Sequence, residues 1–506
     1  MLHKIKSLSE LSNILKKLKG NKKKIVHCHG VFDLLHPGHL KHFELARSLG
    51  EVLIVTVTAD KYVNKGPNKP VYNEKLRAES IAALEIIDYV VINENASSIE
   101  AIYALEPNIY VKGKEYQNLK DSLGHISREK EAVESVGGKL TFVGETIFSS
   151  TSLLNEYFSI LTPETKAYLS EFKEVYSLEE IEKIIEIFKT KNVLVIGDIV
   201  IDEYVFCEPI GIAEKAACLN AKYLGKEQHL GGAAGIASHL ANFCQSVYFI
   251  ASTKKRSEYS NFFVDAMHSK VKCLLSESDD EHICMKQRFF PTDKQSNQLF
   301  ELTYANNFLE IGRCTTTIIH HISEVIKEVD LVIVGDYGYG MISTEMIEYL
   351  CETDAYLAVL AQTNNYNMGG NLITKYSRSN YICLDERELK LASDVPTDST
   401  QNLIQELSNR QNCELISLIS GPNGSLNWSK NEGFKTSVAF TTEVVDSTGA
   451  SSAYFALTAL CAYDQLSPSL IGFIGNCAGA IMVRTLGHRE YITPKSLYQV
   501  ATGLLK

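Results

Sequence analysis

The sequence predicts an α/β fold built as two successive parallel-sheet domains, residues 1–160 and 175–506. Three observations carry that expectation. Short apolar, β-branched runs alternate with amphipathic helical stretches, the rhythm of a parallel sheet covered by helices. The rhythm starts twice, at KKIVHCHGVFD and at KNVLVIGDIVIDEYVF, each a β-rich run entering a glycine-containing turn. Between the two series lies a break, YFSILTPETKAYLSE, followed by a helix-rich joint, SLEEIEKIIEIFKTKN. A chain of 506 residues is also too long for one ordinary core.

Taken in order, MLHKIKSLSELSNILKKLKG sets Leu and Lys at helical spacing, and the basic run from Lys16 to Lys24 reads as a solvated helix end and turn. In the first series EVLIVTVTAD, DYVVI, NIYVKG and KLTFVGE read as strands. NEKLRAESIAALEII, SSIEAIYALEP and SREKEAVESVGG read as the intervening helices. The second series continues through GGAAGIASHLANF, VDLVIVGDYGYG, AYLAVLAQT and ELISLISG to a final group of helices. Ligands of such sheets sit beyond the carboxyl ends of the strands.

Composition excludes several classes. Apolar residues make up 45% and charged residues 22%, ordinary for a soluble globular protein. Fifty Lys and Arg against 61 Asp and Glu give a net charge of −11, which argues against nucleic acid as the main partner. The 12 cysteines are scattered, with no C-x-x-C to suggest zinc, redox chemistry or a disulfide framework. No signal-peptide pattern and no run of about eighteen apolar residues is present, so the expectation is a cytosolic protein with no membrane partner.

HGVFDLLHPGHLKHF, from His29 to Phe43, concentrates the chemistry of the first domain. Pro37 suits the first turn of a helix, where its missing N–H would have no partner. Gly38 permits close approach of another group. His36 and His39, at i and i+3, then share one side of a helix start, beside unpaired N–H groups and the positive end of the dipole. An anion belongs there. Imidazoles can donate to phosphoryl oxygens as a P–O bond breaks, although a bare pair at this spacing also suits structural or metal-linked roles.

The full run G-x-F-D-x-x-H-x-G-H resembles the cytidylyltransferase-like nucleotidyltransferases, most closely the adenylyltransferase half of the bifunctional heptose-phosphate kinase/adenylyltransferases of lipopolysaccharide and capsule precursor synthesis. Further blocks in the expected order extend the resemblance over almost all of the first 155 residues: GPNKPVYNEKLRAESIAALEIIDYVVI, EPNIYVKGKEY and FSSTSLLN. The resemblance implies a Rossmann-like nucleotidyltransferase domain in which His36 and His39 bind and polarise the triphosphate. The backbone of Gly30, Val31, Phe32 and Asp33 would form the floor of the nucleotide pocket. Arg77 would be a phosphate-binding cation, against the alternative of a helix-surface ion pair. Lys65 and Lys112 are further candidates for charge neutralisation. Ser149, Ser150, Thr151 and Ser152 would hold phosphates or base, or cap the last helix. Phe148 stands where the family has glycine.

From Asn192 onward the chain resembles the ribokinase-like (PfkB) sugar kinases, implying a second, ribokinase-like α/β domain. Asp198 and Asp202 fall at the family's acidic positions, LGGAAGIASHLANF at its Gly-Gly substrate loop, and Glu388 in LDERELK at a later acidic position. GGAAGIA also fits simple close packing of helix on strand. The family's D-T-x-G-A-G-D motif is represented by Asp446, Ser447, Thr448, Gly449, Ala450, Ser451 and Ser452. Ser452 stands where the general base should be, and a serine hydroxyl does not accept that proton usefully at neutral pH. Loss of such a base costs on the order of 10²–10⁴ in rate. Gly235 for Asn and Tyr339 for Lys are further departures.

The implied function is transfer of NMP from an NTP to a sugar phosphate, heptose-1-phosphate-like, with release of pyrophosphate and with Mg²⁺ carried on the phosphates rather than on a protein site. ATP and CTP both fit as donors. A CTP-dependent enzyme acting on glycerol or alditol phosphate is the first alternative, a bifunctional kinase/nucleotidyltransferase the second, and a non-catalytic nucleotide-binding scaffold the third. The kinase-like domain is expected to be inactive and to serve as a dimerisation or regulatory scaffold, with a homodimer formed through it.

Overall fold

Five strands organise the amino-terminal part of the chain: β1 (Ile25–Gly30), β2 (Val52–Thr58), β3 (Tyr89–Asn93), β4 (Ile109–Gly113) and β5 (Lys139–Val143). The computed structural model describes every residue except 1, 64–69, 96, 114–124, 144–160, 255–257, 279–282, 292–297, 306–311, 313, 368 and 506. The five strands are all parallel, in the order β3-β2-β1-β4-β5. Helices α1 (Leu8–Gly20), α2 (Pro37–Arg47), α3 (Glu74–Ala82), α4 (Ile99–Leu105) and α5 (His125–Ser135) cover it.

Local chemistry explains the helix starts. Ser7 and Glu10 close a capping box at the head of α1, and Asn73 accepts the Leu76 N–H at 3.0 Å to start α3. The basic run falls at the exposed end of α1 and the turn after it, as its composition requires. β2 is buried on both faces and reads as a near-continuous apolar run, whereas β1 carries His27 and His29 and the edge strand β5 is no more than half-buried. Val26, Cys28, Val55 and Val57 pack on Phe43 and Ala46 of α2 and on Ala78 and Ile81 of α3. Ile25 and Ile54 pack with Leu11, Leu15, Ala101 and Leu105 of α1 and α4.

The order reverses direction between β1 and β4, so the loops leaving these two neighbours diverge to opposite sides and open a crevice at their carboxyl ends. The motif from Gly30 to His39 leaves β1 there.

The chain forms two compact units, Met1–Thr162 with Thr502–Lys506, and Pro163–Ala501. The second opens with helices Pro163–Val175 and Leu178–Phe188. It then builds a nine-stranded sheet in the order β10 (Val271–Ser278), β9 (Ser246–Lys254), β6 (Asn192–Gly197), β13 (Leu331–Asp336), β14 (Tyr356–Ala361), β15 (Tyr381–Asp385), β16 (Leu415–Ile419), β17 (Ser425–Ser429) and β18 (Gly433–Ser437). Only the β16–β17 and β17–β18 pairings of this sheet are antiparallel. A separate four-stranded sheet runs β12 (Phe300–Tyr304), β11 (Cys284–Pro291), β7 (Ile199–Ile212), β8 (Leu219–Gly231).

The run KNVLVIGDIVIDEYVF reads as one β-rich segment, but the structure divides it between the two sheets. The break falls at Gly197, whose φ of +153° lets the backbone approach Gly335 so closely that a β-carbon would stand 2.0 Å from its carbonyl oxygen. Among the described residues no helix is long and apolar enough to cross a membrane.

Candidate active site

The carboxyl end of β1 and the start of α2 bring Gly30, Val31, Phe32, Asp33, His36 and His39 into one short segment. His36 is the N-cap of α2, its backbone extended, and its Nδ1 accepts the Gly38 N–H at 3.1 Å. An accepting Nδ1 places the proton of the neutral ring on Nε2, which makes that nitrogen a donor. The His36 and His39 ring centroids are 4.0 Å apart and the planes are tilted by 33°. Two imidazoles thus sit together at the positive end of an eleven-residue helix.

Phe32 holds this arrangement from behind. Its backbone has φ +50°, an uncommon value for a bulky residue and a local strain of about 1–3 kcal/mol. The conformation turns its ring back over Gly30, where a β-carbon would lie 2.9 Å from the ring. The same ring meets His39 edge-on at 5.3 Å and packs on Phe43 at 5.0 Å. Gly30 is glycine because the phenyl ring takes its side-chain space.

Asp33 is buried and accepts the N–H groups of Val71 and Tyr72 at 2.8 and 2.9 Å, so it ties the segment before α3 to the loop after β1. Arg77 completes that tie, and here the reading as a phosphate-binding cation is corrected. Its side chain is fully buried. It donates to Tyr72 O at 2.8 Å, Val31 O at 2.5 Å, Thr58 O at 2.8 Å and Asp60 Oδ1 at 2.6 Å. Four of the five N–H donors of a guanidinium are thereby used. Arg77 is a positioning residue that pins the loops after β1 and β2 to α3.

Lys112, at the end of β4, is also differently placed from a simple charge neutraliser. Its ammonium pairs with Glu129 at 3.1 Å, and the same carboxylate accepts from Ser98 at 2.5 Å and Tyr110 at 3.0 Å. Lys112 belongs to a polar strip on one face of the sheet. His27 and His29, two apart on β1, share Thr56 Oγ1 on β2 at 2.8 Å each. Burial, with help from neighbouring positive charge, pushes both imidazoles down to about 3, so they are neutral rings at physiological pH. Sequence reasoning missed His27, His29, Thr56 and Glu129. The period-two spacing of His27 and His29 next to the motif was the available signal. Lys65, Ser149, Ser150, Thr151 and Ser152 lie outside the described residues.

In the second unit Gly449 is the N-cap of helix Ala450–Tyr463, with φ +83°. Asp446 accepts the Thr448 N–H at 3.0 Å, the Gly487 N–H at 3.0 Å and the Tyr204 hydroxyl at 2.6 Å. Burial opposes its charge, but these donors hold its carboxyl below the usual range. Ala450 opens the helix, and the buried Ser452 shares a 2.7 Å hydrogen bond with the Tyr337 hydroxyl. Asp198 accepts the N–H groups of Tyr337, Tyr339 and Met341. Burial, then the neighbouring Asp336, pushes Asp198 up to about 7. Asp202 pairs with Arg288 at 2.5 Å. Glu388 closes a capping box with Asp385 and accepts the Thr363 N–H, and burial pushes it up to about 7.

Among the described residues no group of three or more His, Cys, Asp or Glu is placed to hold a metal ion. In the first unit the nearby carboxylates are already engaged: Asp33 by two backbone N–H groups, Asp60 by Arg77, and Glu129 by three donors. These residues do not form a resident divalent site.

Residues 27–157 match the cytidylyltransferase-like family. The chain is similar to the bifunctional protein HldE of Aliarcobacter butzleri, 43% identical over 140 residues, which is 27% of this chain and 29% of that protein. It is 40% identical to the HldE of Helicobacter pylori over 126 residues, 24% of this chain and 27% of that protein. The match therefore spans less than a third of the length of these relatives. Phosphofructokinase-2 from Escherichia coli, solved with substrates and products, superposes with a TM-score of 0.50 at 12% identity, covering 63% of this chain and all of that one. So large a share exceeds the first unit and places the likeness in the second, which has the fold of that kinase.

Proposed function

We propose that the first unit transfers a nucleotidyl group from an NTP to a sugar phosphate of the heptose 1-phosphate kind, releasing pyrophosphate. The observation that carries this reading is the His36–His39 pair, 4.0 Å apart at the head of α2 and at the point where the strand order reverses. In this reading a phosphate oxygen of the acceptor attacks the α-phosphorus, the bond from that phosphorus to the bridging oxygen breaks, and the electron pair leaves with pyrophosphate. The acceptor oxygen is already ionised, so no general base is required. His36 and His39 donate to the departing diphosphate, while Arg77 and Asp33 keep the loop they stand on in register. Mg²⁺ enters as the counter-ion of the nucleotide. Preorganised donors of this type stabilise charge that grows only as the bond breaks. The likeness of residues 27–157 to the cytidylyltransferase-like family supports the assignment to residues 1–160.

The second domain, residues 175–506, is in this reading a kinase fold without kinase activity. Ser452 cannot serve as base, and its hydroxyl is engaged with Tyr337. The test crosses ATP, CTP, GTP and UTP with a panel of sugar and polyol phosphates in the presence of Mg²⁺. Pyrophosphate is expected with a heptose 1-phosphate-like acceptor, and no ADP above background from ATP with unphosphorylated or phosphorylated sugars. Pyrophosphate only with CTP and glycerol or alditol phosphate would move the substrate assignment. Steady ADP formation lost on changing Ser452 would overturn the inactive second domain.

A homodimer through the four-stranded sheet completes the proposal. The pairing register sets Phe300, Leu302 and Tyr304 on one face of the edge strand β12, and all three are exposed. Ile210, Ile212, Leu219 and Tyr223 are exposed near the far ends of β7 and β8. Apolar surface on a free edge calls for a cover, and a second copy supplies a self-complementary one. Light scattering on the full chain should read twice its 56.4 kDa mass, and aspartate at Leu302 should halve it. A wild-type reading of 56.4 kDa at micromolar concentration would exclude the dimer.

A further inference from the structure

His488 is buried in the second unit against two glycines. Its ring rests against the N-cap of helix Ala450–Tyr463, where a β-carbon on Gly449 would stand 2.4 Å from Cε1 and 2.5 Å from Nε2. On its other side a β-carbon on Gly235 would be 3.0 Å from Nε2. The imidazole therefore fills the gap between the Gly449 turn and helix Gly232–Leu240. It is 3% exposed, and neither ring nitrogen has a hydrogen-bond partner among the described residues. Asp202 Oδ2 is 3.9 Å from Nδ1, too far for a hydrogen bond, and that carboxylate is matched by Arg288.

A buried polar ring without partners is not held by its own hydrogen bonds. The chain on either side holds it. Gly487, with φ +54°, and Tyr204 both donate to Asp446 Oδ2, so the residue before His488 is clasped to the loop that the ring covers. Asp446 is thus the anchor of this contact. The ring stands against the Gly449 N-cap, from which the first N–H groups of that helix start, and its nitrogens bond none of them.

We propose that His488 is a built-in occupant of this cleft, standing where a phosphoryl group would meet the helix start and keeping the second unit closed to phosphorylated ligands. The inference rests on the reading of this unit as a fold without kinase activity and supplies a cause separate from the lost base. Ser452 accounts for absent chemistry; His488 accounts for absent binding.

Hydrogen–deuterium exchange of the full chain with and without millimolar MgATP tests it, because peptides report each unit separately. In the wild type, MgATP should leave residues 446–455 unchanged. In His488→Ala the same residues should exchange about tenfold more slowly with MgATP than without. His488→Asn, which shortens the side chain but keeps it polar, gives the same reading if the alanine variant does not fold. Protection of 446–455 in the wild type, or no protection in either folded variant, would overturn the proposal. The kinase reading is judged separately, by ADP formation, and nucleotide binding to the first unit by exchange in residues 30–47.

Discussion

His36→Asn and His39→Asn are each expected to lower pyrophosphate release by about 10²–10³-fold, the cost of one well-placed donor to developing charge. Asparagine is the informative replacement at position 36. His36 is the N-cap of α2 through Nδ1, and alanine would also remove that cap, at about 1 kcal/mol. An asparagine carbonyl can accept the Gly38 N–H in place of Nδ1, so the helix start survives while the Nε2 donor is lost. Unchanged thermal unfolding with lost turnover is therefore the expected pair of results for His36→Asn. At His39 the ring also packs edge-on against Phe32, and a modest fall in stability should accompany the loss of rate. Turnover within a factor of about three of wild type in both variants would remove the histidine pair from the chemistry.

Arg77→Met should produce the largest loss of stability of any substitution in the first unit, about 3–5 kcal/mol. The guanidinium is fully buried and satisfies three carbonyls and one carboxylate contributed by three separate segments. Removing it leaves three backbone carbonyls without their donor, Thr58 O in a buried place, and takes the cation from the partly exposed Asp60, which together cost more than an exposed ion pair is worth. Arg77→Lys keeps the charge, but one ammonium cannot reproduce a planar fork reaching Val31, Thr58, Tyr72 and Asp60 at once, and about half the loss should remain. The measurement is the unfolding transition of the first unit, followed by exchange in β1 and α3. Normal unfolding with a raised KM for the nucleotide would restore Arg77 to the role of direct phosphate ligand.

Both expectations bear on what a linear reading can reach. The His36–His39 pair, its proline and its glycine lie within a few residues, so the helix start and its donors follow from local rules of capping and spacing. A strand such as β2 was equally legible, because a parallel strand buried on both faces reads as a near-continuous apolar run. Arg77 was not. Its spacing on α3 is that of any helical arginine, and its partner Val31 is 46 residues upstream. Lys112 likewise looked like an available cation until α5 supplied Glu129.

In the second unit the presence of Ser452 at the last position of the motif, where the kinases it resembles carry a base, was readable from seven contiguous residues. That its hydroxyl bonds Tyr337, 115 residues away, was not readable, nor was the position of His488 against Gly449 and Gly235.

By itself, then, the order of amino acids determined the α/β class, the two series of alternating elements and the histidine pair at a helix start, because each depends on periodicity and capping within about ten residues. The tertiary structure alone decided the strand order that opens the crevice beside β1, the division of Asn192–Ile212 between two sheets and the partners of Arg77 and Lys112. It also decided the place of His488 against Gly449 and Gly235. Those features depend on which distant segments share a buried volume, and in that volume a charge or a ring takes its role from neighbours the local pattern does not encode.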